Sequence, residues 1–443
     1  MSATADHEAF IPYSREELID LCLADGKLSD EDAPRFRAFC DLLAAHYHFH
    51  FHKHLETLKA NYAPFDPDRV DLTAGARREE STETIASDIK ETRFVETLRY
   101  TLESANYREL DDMAIQEAIA NTALIDLKTE IDFNDFDHVV FYYRGAAATE
   151  IELKRFVFWK KKIQTAFFNN VVLGIKFKEA AYFQEQKRKA EKLNFTPGLM
   201  YLYMYKNIPK FDLELLFPNV KLNMNLIDRL LFVLPALGAG ISVLFKALPN
   251  LVLLVGLLLL LGLGPSYAAW VGVYEDQVKD FMPVLFAFFS LAVALGGFAV
   301  KQYFSYQTRR MQYMKTVMDT LFFKNIANNT SVFHTLIDAA EEEETKEVML
   351  VYYHLLTHDG ELTPEALDST IEGWLAQKAT TAVNFDIKQT IEAMTEVRTR
   401  LCATDAHETA LVRVDEAGHC RPLTLLDAKR LLDTLWDNAF QYA

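Results

Sequence analysis

The residues with the clearest capacity for chemistry are the histidines of His46-Tyr47-His48-Phe49-His50-Phe51-His52-Lys53-His54. In a helix, His46, His50 and His54 fall along one face at i, i+4 and i+8, with His48 and His52 on another. Neighbouring imidazoles at that spacing can share a zinc or copper ion. A catalytic or tight structural site needs a third or fourth ligand, and none is signalled nearby. The missing ligands therefore favour partly exposed helix histidines over a metal site. His354 and His358 repeat the spacing before Asp359, where the dipole of a helix end favours a histidine.

A second group is carboxylic. In Asn207 to Pro218, Pro209 and Pro218 fix φ at both ends and push Ile208 and Phe217 toward extended conformations. Leu213, Leu215, Leu216 and Phe217 supply an apolar side, leaving Asp212 and Glu214 to meet donors. Lys206, Lys210 and Arg144 are the candidate partners. This predicts a rigid juxtamembrane elbow built on Pro209, Asp212, Glu214, Pro218 and Arg144, with structural rather than catalytic carboxylates. No G-x-x-x-x-G-K-[ST] loop, G-x-S-x-G elbow or H-E-x-x-H motif occurs, and no cofactor is implied.

The elements that position these groups must suit a chain of 443 residues with 25% charged residues and a net charge of -17. Such a chain folds mostly in water, as two or three domains. Its acidity excludes a nucleic-acid binder, whose phosphate contacts need a basic face. Cys22, Cys40, Cys402 and Cys420 form no C-x-x-C pair, so neither a disulfide scaffold nor a zinc knuckle is indicated.

Residues 1–63 read as a helical region, with helices over Glu16 to Leu23 and Ala33 to Lys59. Between them, Gly26 stops one helix and Ser29 with Asp32 starts the next. Asp359-Gly360-Glu361-Leu362-Thr363-Pro364 repeats that turn, with proline at the first helical position. Residues 64–92 read as a flexible linker. Residues 93–228 form a small α+β module ending in the elbow. Its expected strands are His138 to Tyr143, Arg155 to Trp159, Val171 to Phe177 and Leu199 to Tyr205, with a helix over Glu179 to Leu193. The module is locally basic through Lys160, Lys161, Lys162, Lys176, Lys178, Lys187, Arg188, Lys189 and Lys192, which suits contact with anionic lipid.

Residues 229–300 read as a two-span transmembrane hairpin. Phe281 to Val300 carries no charge and has the length of a span, while Leu230 to Gly264 is apolar but broken by Pro235, Lys246 and Pro249. The first arm is either a kinked interfacial piece completed at about Leu251 to Gly264, or a crossing over Leu230 to Leu248 with a re-entrant piece. Basic outer flanks and the acidic loop of Glu275, Asp276 and Asp280 place both termini in the cytoplasm. Met1 to Phe10 lacks signal-peptide character. Ser290, Ala294 and Gly297 share a face that suits a homo-oligomer. Residues 301–382 are expected to be helical, with the acidic block Glu341 to Glu344 and a helix from Lys346 to Leu356. Residues 383–443 read as a winged-helix-like module: helix, strands around Leu411 to Val414 and Cys420 to Leu423 with Gly418 between them, then a final helix. The fold class is thus an α+β membrane protein.

The run Tyr205-Lys206-Asn207-Ile208-Pro209-Lys210-Phe211-Asp212-Leu213-Glu214-Leu215-Leu216-Phe217-Pro218, followed by Asp228-Arg229, resembles the signature of the transmembrane protein 143 family, defined by a domain of unknown function. Phe10-Ile11-Pro12, Tyr62-Ala63-Pro64-Phe65-Asp66-Pro67-Asp68, Asn106-Tyr107, Tyr143-Arg144-Gly145 and Trp436-Asp437-Asn438 agree in order. The resemblance implies a two-span membrane protein, bacterial or organellar, and brings no catalytic residues. The expectation is a non-enzymatic, membrane-anchored scaffold or regulator in a bacterial inner membrane. An oligomeric channel or transporter and a metal-dependent enzyme using the histidines are the alternatives.

Overall fold

The computed structural model describes residues 10–69, 83–110, 127–156, 159–188, 193–224, 281–358, 360–378, 383–401 and 407–438. The chain divides into two compact units: one of residues 1–121, 132–219 and 324–443, the other of residues 122–131 and 220–323.

The larger unit opens with α1 (Arg15–Ala24) and α2 (Asp32–Tyr62). Ser14 caps α1 through a complete capping box with Glu17. The expected Gly26 stop and Ser29 start both occur: Gly26 takes φ +66°, and the Asp32 amide donates to Ser29 Oγ at 3.1 Å. The apolar face of α2 lies on α6 (Thr330–Thr357), where Phe39 stacks on Tyr352 at 4.3 Å and Phe36 meets Tyr353 at 5.7 Å. α3 (Glu83–Ser104) joins them, with Phe94 set between Tyr62 and Phe333 at 5.2 and 5.7 Å. A helix thus begins inside the stretch expected to be a linker, and Phe65 at its start is buried. Residues 70–82 lie outside the described residues.

The sheet of this unit is antiparallel in the order β1-β3-β4-β5-β7: β1 (Arg108–Glu109), β3 (Phe136–Phe156), β4 (Trp159–Phe177), β5 (Met200–Pro209) and β7 (Asn325–Asn328). Of Arg155 to Trp159, expected as a strand of its own, Arg155 and Phe156 end β3 and Trp159 begins β4, while residues 157–158 lie outside the described residues. Of the helix expected over Glu179 to Leu193, Ala180–Glu185 is formed, here α4. Sheet and helices are joined at Asn329, which holds φ +48° between β7 and α6. Its side-chain oxygen accepts from Tyr62 Oη and from the Leu202 amide, both at 3.2 Å.

After α6 come α7 (Pro364–Lys378), with Pro364 at its first position, and α8 (Ile387–Glu396). β8 (Arg398–Thr399) pairs with β9 (Thr409–Ala410), and β10 (Val412–Val414) with β11 (Cys420–Pro422), ahead of the final helix Leu425–Asn438. Gly418 turns the second pair at φ +83°. The expected hairpin is present, with the β8–β9 pair as an addition between it and α8.

The smaller unit holds β2 (Leu127–Glu130) paired antiparallel with β6 (Lys221–Met224), and the helix α5 (Phe281–Lys324) up to residue 323. Among the described residues no helix is long and apolar enough to cross a membrane. This overturns the two-span hairpin, and with it the membrane fold class and the multi-pass inner-membrane location with cytoplasmic termini. Phe281 to Val300 is not a separate arm. It is the first part of a 44-residue helix that runs unbroken through Lys301, Arg309, Arg310 and Lys315. At 1.5 Å per residue it is about 66 Å long, twice the hydrocarbon thickness. The first arm and the loop Pro265 to Asp280 lie outside the described residues.

Gly145 lies within β3 at φ +69°, where a Cβ would collide with the Asn169 side chain. Gly145→Ala is expected to cost about 1–2 kcal/mol for the left-handed backbone alone, measured by urea unfolding.

Candidate functional site

One turn of α6 carries an unusual load of ionisable groups out of water. Glu343, Glu344, Lys346 and Glu347 are all buried. An isolated buried charge is costly unless paired and hydrogen-bonded, and here the pairing is dense. Glu343, fully buried, accepts from Lys346 Nζ at 2.8 Å and Arg144 Nη2 at 3.0 Å through one oxygen. Its other oxygen accepts from the Ile11 amide at 3.2 Å and Asn106 Nδ2 at 3.4 Å. Lys346 Nζ gives further hydrogen bonds to the Ile11 and Tyr13 carbonyls at 2.9 and 3.0 Å, using all three donors of the ammonium. Arg144 also donates to the Ala105 carbonyl at 3.2 Å, with its guanidinium 4.7 Å from the Phe10 ring centre and 5.8 Å from that of Tyr107.

The other two glutamates of this group behave differently. Glu347 accepts from Asn106 Nδ2 at 2.8 Å and Thr390 Oγ1 at 3.1 Å, both neutral donors. Burial, reinforced by the Glu344 charge, pushes its carboxyl up to about 8. Burial likewise raises Glu344, which faces Ser104, to about 7. Near neutral pH the pair holds protons that ordinary carboxyls have lost. Strongly perturbed groups of this kind are candidates for proton transfer, and also for structural clusters.

The histidine-rich run lies on α2 as expected. His50 and His54 place their Nε2 atoms 3.3 Å apart, and His54 stacks on Tyr100 with 5.0 Å between ring centres. His46 does not complete a triad. It lines a cavity of about 290 Å³ between α2 and the final helix, together with Phe49, His50, Lys53, Asp433 and Trp436. His48 Nδ1 is taken by Glu341 Oε2 at 2.8 Å. Burial lowers the pKa of His46, His50 and His54, keeping the neutral, ligand-competent form. His354 is not a charged helix-end histidine: it is buried between Tyr353 and Trp374, and burial lowers it to about 4.

Among the described residues, a group of three metal-ligand types converges elsewhere, at Glu361, Asp415 and His419. Arg421 already bonds both carboxylates, so the charge a cation would neutralise is met by the protein.

The elbow forms in part. Pro209 ends β5 in register with Phe167, a 3-10 turn follows over Lys210–Leu216, and Phe217 is extended as the following proline demands. Leu213, Leu216, Phe217 and Glu214 are buried, and Phe217 packs on Phe133 at 5.6 Å. The Asp212 side chain lies outside the described residues. Arg144 does not serve this elbow: its carboxylate partner is Glu343, 199 residues away. No sequence signal nominated Glu343, Glu344 and Glu347, since the sequence shows Glu341 to Glu344 only as an acidic block with no partner beside it. Part of the basic module is also neutralised internally, Lys176 by Glu91 at 2.6 Å and Arg188 by Asp135 at 2.6 Å.

The profile of a family described as a protein of unknown function (DUF3754) matches residues 168–331. The matched stretch takes in part of β4, then β5, β6, α5 and β7. No solved structure matches the chain.

Two outcomes follow from the buried cluster. Arg144→Ala strips a cation from a fully buried carboxylate and is expected to cost about 3–5 kcal/mol in urea unfolding, as breaking a buried pair does. The second concerns protons. Because the folded pKa of Glu347 lies above its unfolded value, its stabilising effect is fully present below about pH 4.5 and is lost as pH rises through about 8. The melting temperature of Glu347→Gln should therefore gain on the wild type between those pH values and level off above them.

Proposed function

We propose that the chain is a non-catalytic scaffold or regulatory protein. The observation that carries this reading is Glu343. Of the buried carboxylates on α6 it is the most heavily engaged, with both oxygens occupied, one by Arg144 and Lys346 and the other by Ile11 and Asn106. Glu347 likewise spends its two oxygens on Asn106 and Thr390. Such a cluster is suited to holding distant segments in one arrangement, whereas a catalytic carboxyl needs reach to a reacting atom. The open cavity between α2 and the final helix, with its aromatic and basic lining, is where we place the contact with a protein partner.

We further propose kinship with the transmembrane protein 143 family. Its support is the run Tyr205 to Pro218, which falls inside the matched residues 168–331. The kinship assigns no substrate and leaves the scaffold reading unchanged.

The test is affinity purification of the tagged chain at native expression, beside Glu347→Gln and Trp436→Ala. A partner recovered in stoichiometric amount, retained by Glu347→Gln and reduced at least about tenfold by Trp436→Ala, is the expected result, since buried aromatic anchors dominate interface energies. Turnover of a substrate that is abolished in a folded Glu347→Gln variant would overturn it.

A further inference from the structure

We propose that His50 and His54 form a binding site for a first-row divalent cation of the zinc class, the two Nε2 atoms being the protein ligands and water filling the remaining positions. The geometry is the argument. Two imidazole nitrogens bound to tetrahedral zinc at about 2.0–2.1 Å lie about 3.3 Å from each other. His50 and His54 already hold their Nε2 atoms 3.3 Å apart. The nitrogens are therefore already at the separation that one ion requires, and the rings need only turn their lone pairs toward it.

The surroundings fix that arrangement. α2 sets the i, i+4 spacing, and the Tyr100 ring from α3 lies against His54 at an interplanar angle of 27°. This stack restrains the ring by packing. The imidazole that carries hydrogen on Nε2 in the present contact moves it to Nδ1, and the nitrogen lone pair then faces the ion. Imidazole ligands of this kind suit zinc, copper and nickel.

The same helix carries an internal comparison. His48 and His52 share the i, i+4 spacing, and His48 meets Glu341 Oε2 through Nδ1 at 2.8 Å, but their ring nitrogens make no contact like that of His50 and His54. Sequence spacing is identical in the two pairs, and only one pair has its nitrogens converged.

The experiment is a calorimetric titration of the full chain with Zn²⁺ in a buffer free of chelators, beside His50→Ala, His54→Ala and His52→Ala. One zinc per chain is expected. Loss of outer-shell partners alone costs roughly 10- to 100-fold in metal affinity, so His50→Ala and His54→Ala should each weaken binding at least about tenfold. His52→Ala should leave it within about twofold. All three positions are at least partly exposed, so the variants should fold, which circular dichroism checks. Absence of zinc binding by the wild type, or binding that His50→Ala and His54→Ala leave unchanged, overturns the proposal.

Discussion

A carboxylate removed from water is stable only while its lone pairs are met, and Glu343 is the place in the larger unit where that constraint bears most heavily. Its four donors come from the segment before α1, the turn after α3, β3 and α6 itself. None of these elements is optional. If the N-terminal segment departs, Lys346 loses two carbonyl acceptors and Glu343 loses an amide donor. If β3 shifts by one residue, Arg144 changes face and the charge balance fails. Hydrophobic packing between α2 and α6 supplies the driving force. The ionic cluster instead makes one arrangement of those helices much cheaper than its neighbours.

The same helix turn holds two kinds of acidity. Glu343 meets two cations, while Glu347 meets an amide and a hydroxyl. Protonated glutamates beside an ion pair let α6 bury three acidic side chains without three uncompensated charges. The cost is a dependence on pH that a purely apolar helix would lack.

Local signals were legible and distant partners were not. Gly26, Ser29 and Pro364 act within a few residues of themselves, so their caps and stops could be read directly, and β10 with β11 followed from alternation around Gly418. By contrast, Glu341 to Glu344 resembles a surface in any window of ten residues. What buries it is Ile11, Asn106 and Arg144, each about 200 residues or more away in sequence. Arg144 was matched with the nearer elbow for the same reason. The apolar run Phe281 to Val300 was read apart from its continuation, and the continuous helix α5 joins it to charged turns. At the histidines, spacing gave the shared face, but only the ring orientations separate His50 and His54 from His48 and His52.

The sequence distance between α2 and α6 has a consequence for synthesis. Ile11 and Glu343 are 332 residues apart, and Phe36 and Phe39 wait almost as long for Tyr352 and Tyr353. At about 5–20 residues per second, a ribosome leaves the apolar face of α2 without its partner for tens of seconds. During that interval the nascent chain presents an apolar helix face without its cover, the kind of transiently exposed surface that favours aggregation.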